Sequence, residues 1–236
     1  MELLLSPEAW IAFATLTALE LVLGIDNVIF ISILVDKLPA ESRERARQLG
    51  LFMAMFMRIG LLLALAWIVG LVNPLLTWGS QEFSGRDLIL MAGGLFLLWK
   101  STTEIHQTLE GAGHAGSATG RATFGSVILQ IMIIDLVFSL DSIITAVGMV
   151  DQVEVMIAAV VASVGMMMVF ANGISRFVSA HPSIKMLALS FLVVVGVVLV
   201  AEGFEHHIPK GYVYFAMAFS VAVEMLNIRY RKKSQT

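Results

Sequence analysis

Residues Leu19 to Val35 read LELVLGIDNVIFISILV, and residues Ile131 to Ile143 read IMIIDLVFSLDSI. Each run is apolar over too great a length for a core strand. Each also holds two acids six residues apart, Glu20 and Asp26 in the first and Asp135 and Asp141 in the second, with a small polar residue, Asn27 or Ser142, directly after the second acid. Whether such runs are core helices or membrane spans is decided by the rest of the chain.

Hydrophobic residues make up 58% of the 236 and charged residues only 14%, against the roughly 25% charged that soluble domains carry. A chain of this length has too little interior to hide that apolar excess, whereas lipid accepts it on the outer surface. Seven stretches approach the length of a spanning helix: about 9 to 35, 48 to 72, 86 to 106, 122 to 150, 155 to 176, 184 to 202 and 211 to 228. Their apolar residues run on instead of alternating, which excludes a β-barrel pattern. Pro7, Pro39, Pro74, Pro182 and Pro209 all fall outside these stretches or at their ends, where no helix hydrogen bond is lost.

Lys and Arg set the orientation. Loop 36 to 47, the flanks Lys100 and Arg121, the flanks Arg176 and Lys185, and the tail beginning at Arg229 hold twelve of the fifteen basic residues; the opposite side has Arg86 and Lys210, and Arg58 lies within the second helix. The N-terminus is therefore expected outside and the C-terminus in the cytoplasm. The opening MELLLSPEAW has no basic n-region, and no cleaved signal peptide is expected. There are no cysteines, so disulfides and thiolate metal sites are excluded. The net charge of -3 gives no sign of a nucleic-acid partner, and none is expected.

The two acidic runs lie in the first and fourth helices, three spans apart, so they cross the membrane in opposite directions. That is the arrangement of an inverted-topology repeat. The expected fold is thus all-α, with seven transmembrane helices: a first repeat at about 9 to 106, a linker at about 107 to 121, a second repeat at about 122 to 202, and an extra C-terminal helix at about 211 to 228. GGLFLLWKSTTEIH and SFLVVVGVVLVAEGFEHH echo each other loosely in the third and sixth helices. GAGHAGSATG, Gly111 to Gly120, has the composition of a flexible linker, and its His114 is read as solvated.

A six-residue spacing separates two acids by roughly 9 Å along a helix axis. In antiparallel helices this puts Glu20 level with Asp141 and Asp26 level with Asp135, two stacked carboxylate pairs. The same spacing turns through about 120 degrees, so convergence of all four needs bending, tilting or unwinding; Gly24 would permit a break in the first helix. Each ionised acid at the bilayer centre costs roughly 2.5–3.5 kcal/mol, so the four must face water, protons or a cation. Asn27 and Ser142 sit seven residues after the first acid of each motif and add neutral oxygens. Carboxylate, amide and hydroxyl oxygens suit hard cations such as Mg, Ca or Mn. Arg58 is the expected ion-pair partner of Asp26 or Asp135.

Other polar groups rank lower. Glu104 and His106, and Glu202, Glu205, His206 and His207, sit near predicted interfaces and are read as solvated, with His206 and His207 a weak external metal contact. Glu224 is an accessory acid or a partner of Arg229. Scattered methionines, Met53, Met55, Met57 and Met166 to Met168, indicate packing and lipid contact. Gly93 and Gly94 indicate close helix packing. No nucleophile and base pair, phosphate loop or HExxH segment is present, so no enzyme is expected, nor a prosthetic group.

LELVLGIDNVIFIS, MRIGLLLALAW, GGLFLLWKSTTEIH, DLVFSLDSI and HIPKGYVYFAMAFS together resemble the TerC family of integral membrane proteins, and the likeness runs over nearly the whole chain. It is greatest to the short bacterial inner-membrane members without cytoplasmic CBS and transporter-associated domains. The resemblance implies one TerC-like transmembrane domain over 1–236, related to the LysE exporter superfamily. It also implies manganese efflux, with Mn2+ as the transported ion and Glu20, Asp26, Asp135 and Asp141 as the functional acids beside Asn27 and Ser142. Four acids would repel an oxyanion, so tellurite is not the expected cargo. The expected partners are the lipid bilayer and the metal ion, with a homo-oligomer left open. Two rival functions are export of a small cationic organic solute and a non-transport role in protein insertion or envelope metal homeostasis, the latter resting on surface residues such as Arg43 and Arg45.

Overall fold

A computed structural model describes residues 6–64, 74–78, 81–110, 123–147, 152–206 and 208–234. His114 and His207 lie outside the described residues, and the side chains of Asp26 and Asp141 are likewise outside the description.

The chain order is α1 (Pro7–Val35), α2 (Ala40–Leu63), β1 (Pro74–Trp78), β2 (Gln81–Ser84), α3 (Gly85–Glu110), α4 (Phe124–Val147), α5 (Val153–Ala180), α6 (Pro182–Gly203) and α7 (Lys210–Ser234). Six of the helices are long and apolar enough to cross a membrane, and α4 adds a shorter apolar stretch, Phe124–Leu140, that ends just before Asp141. An all-α membrane protein fits this architecture.

Helix starts follow local chemistry. Ser6 caps α1, its Oγ accepting from the Ala9 amide at 3.2 Å, with Pro7 in the first turn; this satisfies an amide that the helix itself leaves free. Pro182 likewise stands in the first turn of α6, there without a side-chain cap. Ser84 and Asp87 bond reciprocally at the start of α3, the Ser84 amide donating to Asp87 Oδ2 at 2.9 Å and the Asp87 amide to Ser84 Oγ at 3.2 Å.

One expectation is corrected, and two points that the sequence left open are settled. Residues 40–47, read above as loop, are the first two turns of α2: Pro39 fixes the approach, and Glu41 to Gln48 is rich in strong helix formers whatever their hydropathy. The connection from α2 to α3 is not purely helical, since β1 and β2 pair antiparallel, with Trp78 opposite Gln81 and Pro74 opposite Ser84. Helix α1 is continuous through Gly24. A Cβ there would lie 1.9 Å from the Met167 terminal methyl, so this glycine makes room for α5 and does not break the helix.

Helix α1 runs through the interior and packs along α5, while α3 packs along α6 and α2 bridges α4 and α5. Glycines set the closest approaches. At Gly94 a Cβ would meet the Gly196 carbonyl oxygen at 2.7 Å, and at Gly196 a Cβ would meet the Gly94 oxygen at 3.0 Å, so α3 and α6 touch backbone to backbone. Gly93 abuts Val137 of α4. Met167 is buried in the core. Helix α7 packs on α6 alone to any extent, and none of its described residues is buried.

Candidate cation site

Three inward-facing stripes meet in the middle of the bundle. On α1 the stripe is Leu16, Glu20, Gly24, Asn27 and Ile31; on α2 it is Gly50, Leu51, Ala54, Arg58 and Leu62; on α4 it is Ile131, Asp135, Ser139 and Ser142. The three- and four-residue spacing keeps each stripe on one helix face. Glu20, Arg58 and Asp135 are 6%, 5% and 4% exposed, so each charge must be met by a partner and not by water.

Arg58 meets both acids. Its Nη1 donates to Glu20 Oε2 and its Nη2 to Asp135 Oδ1, while Nε lies 3.1 Å from Asp135 Oδ2 and 3.2 Å from Oδ1. The planar guanidinium thus forms a fork on Asp135 and reaches α1 with its free edge, a geometry that a lysine ammonium lacks. Asp135 accepts further from Asn27 Nδ2 at 3.2 Å and from Ser139 Oγ at 3.1 Å. Two buried oxygens of α1, Asn27 Oδ1 and Thr17 Oγ1, have no hydrogen-bond partner among the described residues. Thr17 stands one turn before Glu20 on the same face of α1.

Arg58 therefore pairs with Asp135, as expected, but its second partner is Glu20, which the sequence reading placed at the other carboxylate level. The long Glu20 and Arg58 side chains close part of the roughly 9 Å that separates the two levels. The Asn27 contact puts the Asp26 end of α1 against Asp135, in line with the antiparallel register. Ser142 is buried, yet its hydroxyl turns back to the Ser139 carbonyl at 3.2 Å. Ser139 bonds the acid instead. The signal was available, since Ser139 is one turn after Asp135, on the same face; Thr17, one turn before Glu20, could have been found likewise. Among the described residues no three Asp, Glu or His side chains converge, and the two that do, Glu20 and Asp135, are joined through Arg58.

The peripheral candidates separate. Glu104 and Glu202 are buried, at 2% and 5% exposed, and not solvated as expected. Glu104 is held by Lys37 and by Lys100, the latter at 2.8 Å, which is how a carboxylate is kept at a membrane boundary. His106 pairs with Glu110 at 3.0 Å at the surface, and exposed His206 points Nδ1 at the Phe204 carbonyl at 2.8 Å; neither reaches the centre. Glu224 accepts from Asn227 Nδ2 at 3.5 Å, and the cation that acts on it is Arg231 and not Arg229.

The TerC profile, described as an integral membrane protein family, matches residues 5–236. The chain belongs to the TerC family. It is similar to the UPF0053 inner membrane protein YgdQ of Escherichia coli strain K12, 56% identical over 228 residues that cover 97% of this chain and 96% of YgdQ. It is also similar to a UPF0053 protein of Haemophilus influenzae, 54% identical over 232 residues and 98% of each chain. The UPF0053 inner membrane protein YoaE of E. coli is 52% identical over 228 residues, 96% of this chain but 44% of YoaE. No solved structure matches the chain. With its apolar spanning helices, this TerC protein is an inner-membrane protein.

Proposed function

We propose that this TerC protein is a divalent metal-cation transporter that exports manganese, through a site formed by Glu20, Asp26, Asn27, Asp135 and Asp141. The observation that carries the reading is the Arg58 guanidinium, buried between carboxylates of two different helices. It is a tethered cation occupying the place that a transported cation would take. A hard ion reaching the site would displace Arg58 and take over the carboxylate oxygens it held, with the unpartnered Asn27 Oδ1 and Thr17 Oγ1 of α1 as the neutral oxygens on offer. With Arg58 counted, the four acids leave three negative charges, enough for a divalent ion and one proton. Protons are the exchanging ion in this scheme.

The packing between repeats supports seven spans arranged as an inverted repeat of α1–α3 and α4–α6 followed by α7, with the N-terminus outside and the basic C-terminal end in the cytoplasm. Contacts come in reciprocal pairs: α1 lies on α5 as α2 lies on α4, α3 touches α4 as α6 touches α1, and α3 meets α6 across the Gly94–Gly196 approach. A metal is favoured over an organic solute because the side chains gathered at the centre offer carboxylate, amide and hydroxyl oxygens, the ligands of a hard divalent ion. The reading assigns no enzymatic step.

The test is manganese sensitivity and cellular manganese content in a strain lacking the gene, complemented by wild type or by Asp26→Asn, Asp135→Asn or Asp141→Asn. Complementation by wild type alone is expected. Full complementation by all three variants would remove the site assignment.

A further inference from the structure

A cavity of about 450 Å³ lies between α6 and α7, backed by α1 and α4. On α6 its wall runs from Ile184 through Ala188 and Phe191 to Val195, one continuous face, and on α7 it includes Ala218 and Ala222. The lining is apolar throughout except for the Tyr214 hydroxyl. We propose that this groove is a binding site for one acyl chain of an anionic phospholipid, whose headgroup rests against the basic end of α7. The inference needs only the membrane assignment and stands apart from the transport reading.

Size identifies the occupant. From Ile184 to Val195 the wall is about 16 Å long at 1.5 Å per residue, close to one leaflet of a 30 Å hydrocarbon core. Over that length the cavity of about 450 Å³ is a long apolar slot, open along one side, a shape that one flexible hydrocarbon chain lying along α6 fills. Water has almost nothing to bond there, since an apolar cavity gives it no partners.

Charge identifies the headgroup. The groove-facing stripe of α7 continues from Ala218 and Ala222 through Met225 to Arg229, at steps of four, three and four residues. Arg229 is exposed and makes no ion pair among the described residues. Ile184 at the start of α6 and Val221 and Ala222 of α7 line the same groove, so Arg229, two turns further along α7, stands beyond its Ile184 end, where Lys185 also lies. A phosphate at that mouth meets cations and an acyl chain below it meets the apolar wall. Phe30 and Phe138, which line the back, each sit three residues beyond a site residue, Asn27 and Asp135, so the chain packs against the helices that carry the cation centre.

The experiment is native mass spectrometry of the full-length protein, purified in mild detergent and re-lipidated with phosphatidylglycerol and phosphatidylethanolamine in equal amounts. One phosphatidylglycerol per chain is expected. Arg229→Gln should keep a bound lipid but lose about fivefold in preference for the anionic one, the effect of one basic residue at an anionic surface. Ala188→Trp and, separately, Ala218→Phe should fill the groove and abolish retention, with melting temperature confirming that each folds. The proposal is overturned if wild type retains neither lipid, if both filled variants retain phosphatidylglycerol as before, or if Arg229→Gln leaves the preference intact. It is equally overturned if filling the groove changes oligomeric state and not lipid, which would make a second copy the occupant.

Discussion

Replacing Arg58 with Gln tests the energetic reading of the centre most directly. Glu20 and Asp135 are both buried, and each loses its cation in this variant. Breaking a buried ion pair by removing one partner costs about 3–5 kcal/mol, which exceeds the mean cost of point substitutions by severalfold. At about 2–4 °C per kcal/mol for chains of 150–250 residues, the melting temperature should fall by roughly 6–20 °C. The double variant Arg58→Gln with Asp135→Asn removes the orphaned charge as well, and should recover part of the loss as a coupling energy of about 0.5–3 kcal/mol.

The same variant bears on the cation. In wild type an arriving ion competes with the guanidinium, whereas in Arg58→Gln the carboxylates have no internal partner. Manganese should therefore stabilise the variant more than wild type. At one hundred times its dissociation constant a bound ion contributes about 2.7 kcal/mol, so most of the Arg58→Gln deficit should be restored by saturating Mn2+. The assay is thermal unfolding in detergent, followed through the four tryptophans, with and without MnCl2. An unchanged melting temperature in Arg58→Gln, or stabilisation by manganese that is larger in wild type, would refute the view that Arg58 holds the place of the transported ion.

Other predictions concern packing and the periphery. Gly94→Ala places a Cβ against the Gly196 carbonyl and the Val200 amide at 2.7 and 2.9 Å, backbone atoms that cannot swing aside, and should cost about 1–3 kcal/mol by unfolding measurements. Gly60→Ala meets nothing within 4 Å and should gain about 0.4–1 kcal/mol in the same assay. Gly24→Ala meets only the tip of Met167, so it should keep transport near wild type in manganese-efflux measurements, a result that a required hinge at Gly24 would not allow. Glu104→Gln should lower the melting temperature more than Lys37→Gln, because the first strands Lys100 beside an uncharged group, while the second leaves Glu104 with Lys100 and loses about 1 kcal/mol at a partly exposed lysine.

The spans were legible because lipid imposes one rule on every residue of a segment, and the prolines repeated the same boundaries. The start of α2 was hidden because Glu41, Arg43, Glu44, Arg45 and Arg47 are hydrophilic but helix-forming; a hydropathy window sees a loop where propensity sees a helix. The hairpin was missed because hydropathy marks residues 73 to 85 only as a gap between two spans and says nothing of how that gap folds. At the centre, composition revealed the acids and the arginine, and the antiparallel argument set Asp26, the neighbour of Asn27, level with Asp135. The level of Glu20 with Asp141 falls on a side chain outside the described residues; what the backbone count did not show is that the long Glu20 and Arg58 side chains meet. Ser142 and Ser139 differ by three residues on one helix face, and only the surrounding packing decides which hydroxyl faces the acid and which folds back on the backbone. Burial of Glu104 and Glu202 was invisible for a related reason, since position along a helix does not reveal which side meets a neighbour.

What the centre adds to the acidic repeat is a reason for the sequence to hold an arginine inside a membrane helix. Without a cation, Glu20 on α1 and Asp135 on α4 repel, and the two helices that carry the motif are driven apart. With Arg58 between them they are tied through one rigid planar group, at a cost in desolvation that its several hydrogen bonds offset. In the proposed cycle a bound metal would tie the same two helices through oxygen ligands and free α2, which carries Arg58. The loaded and unloaded states would then differ in whether α2 is fastened to the α1–α4 pair. Since α2 also packs on α4 and α5, its release bears on how the two halves of the bundle meet. Displacement of one guanidinium is thereby a local electrostatic event with a consequence for the whole bundle, the kind of coupling a transport cycle needs.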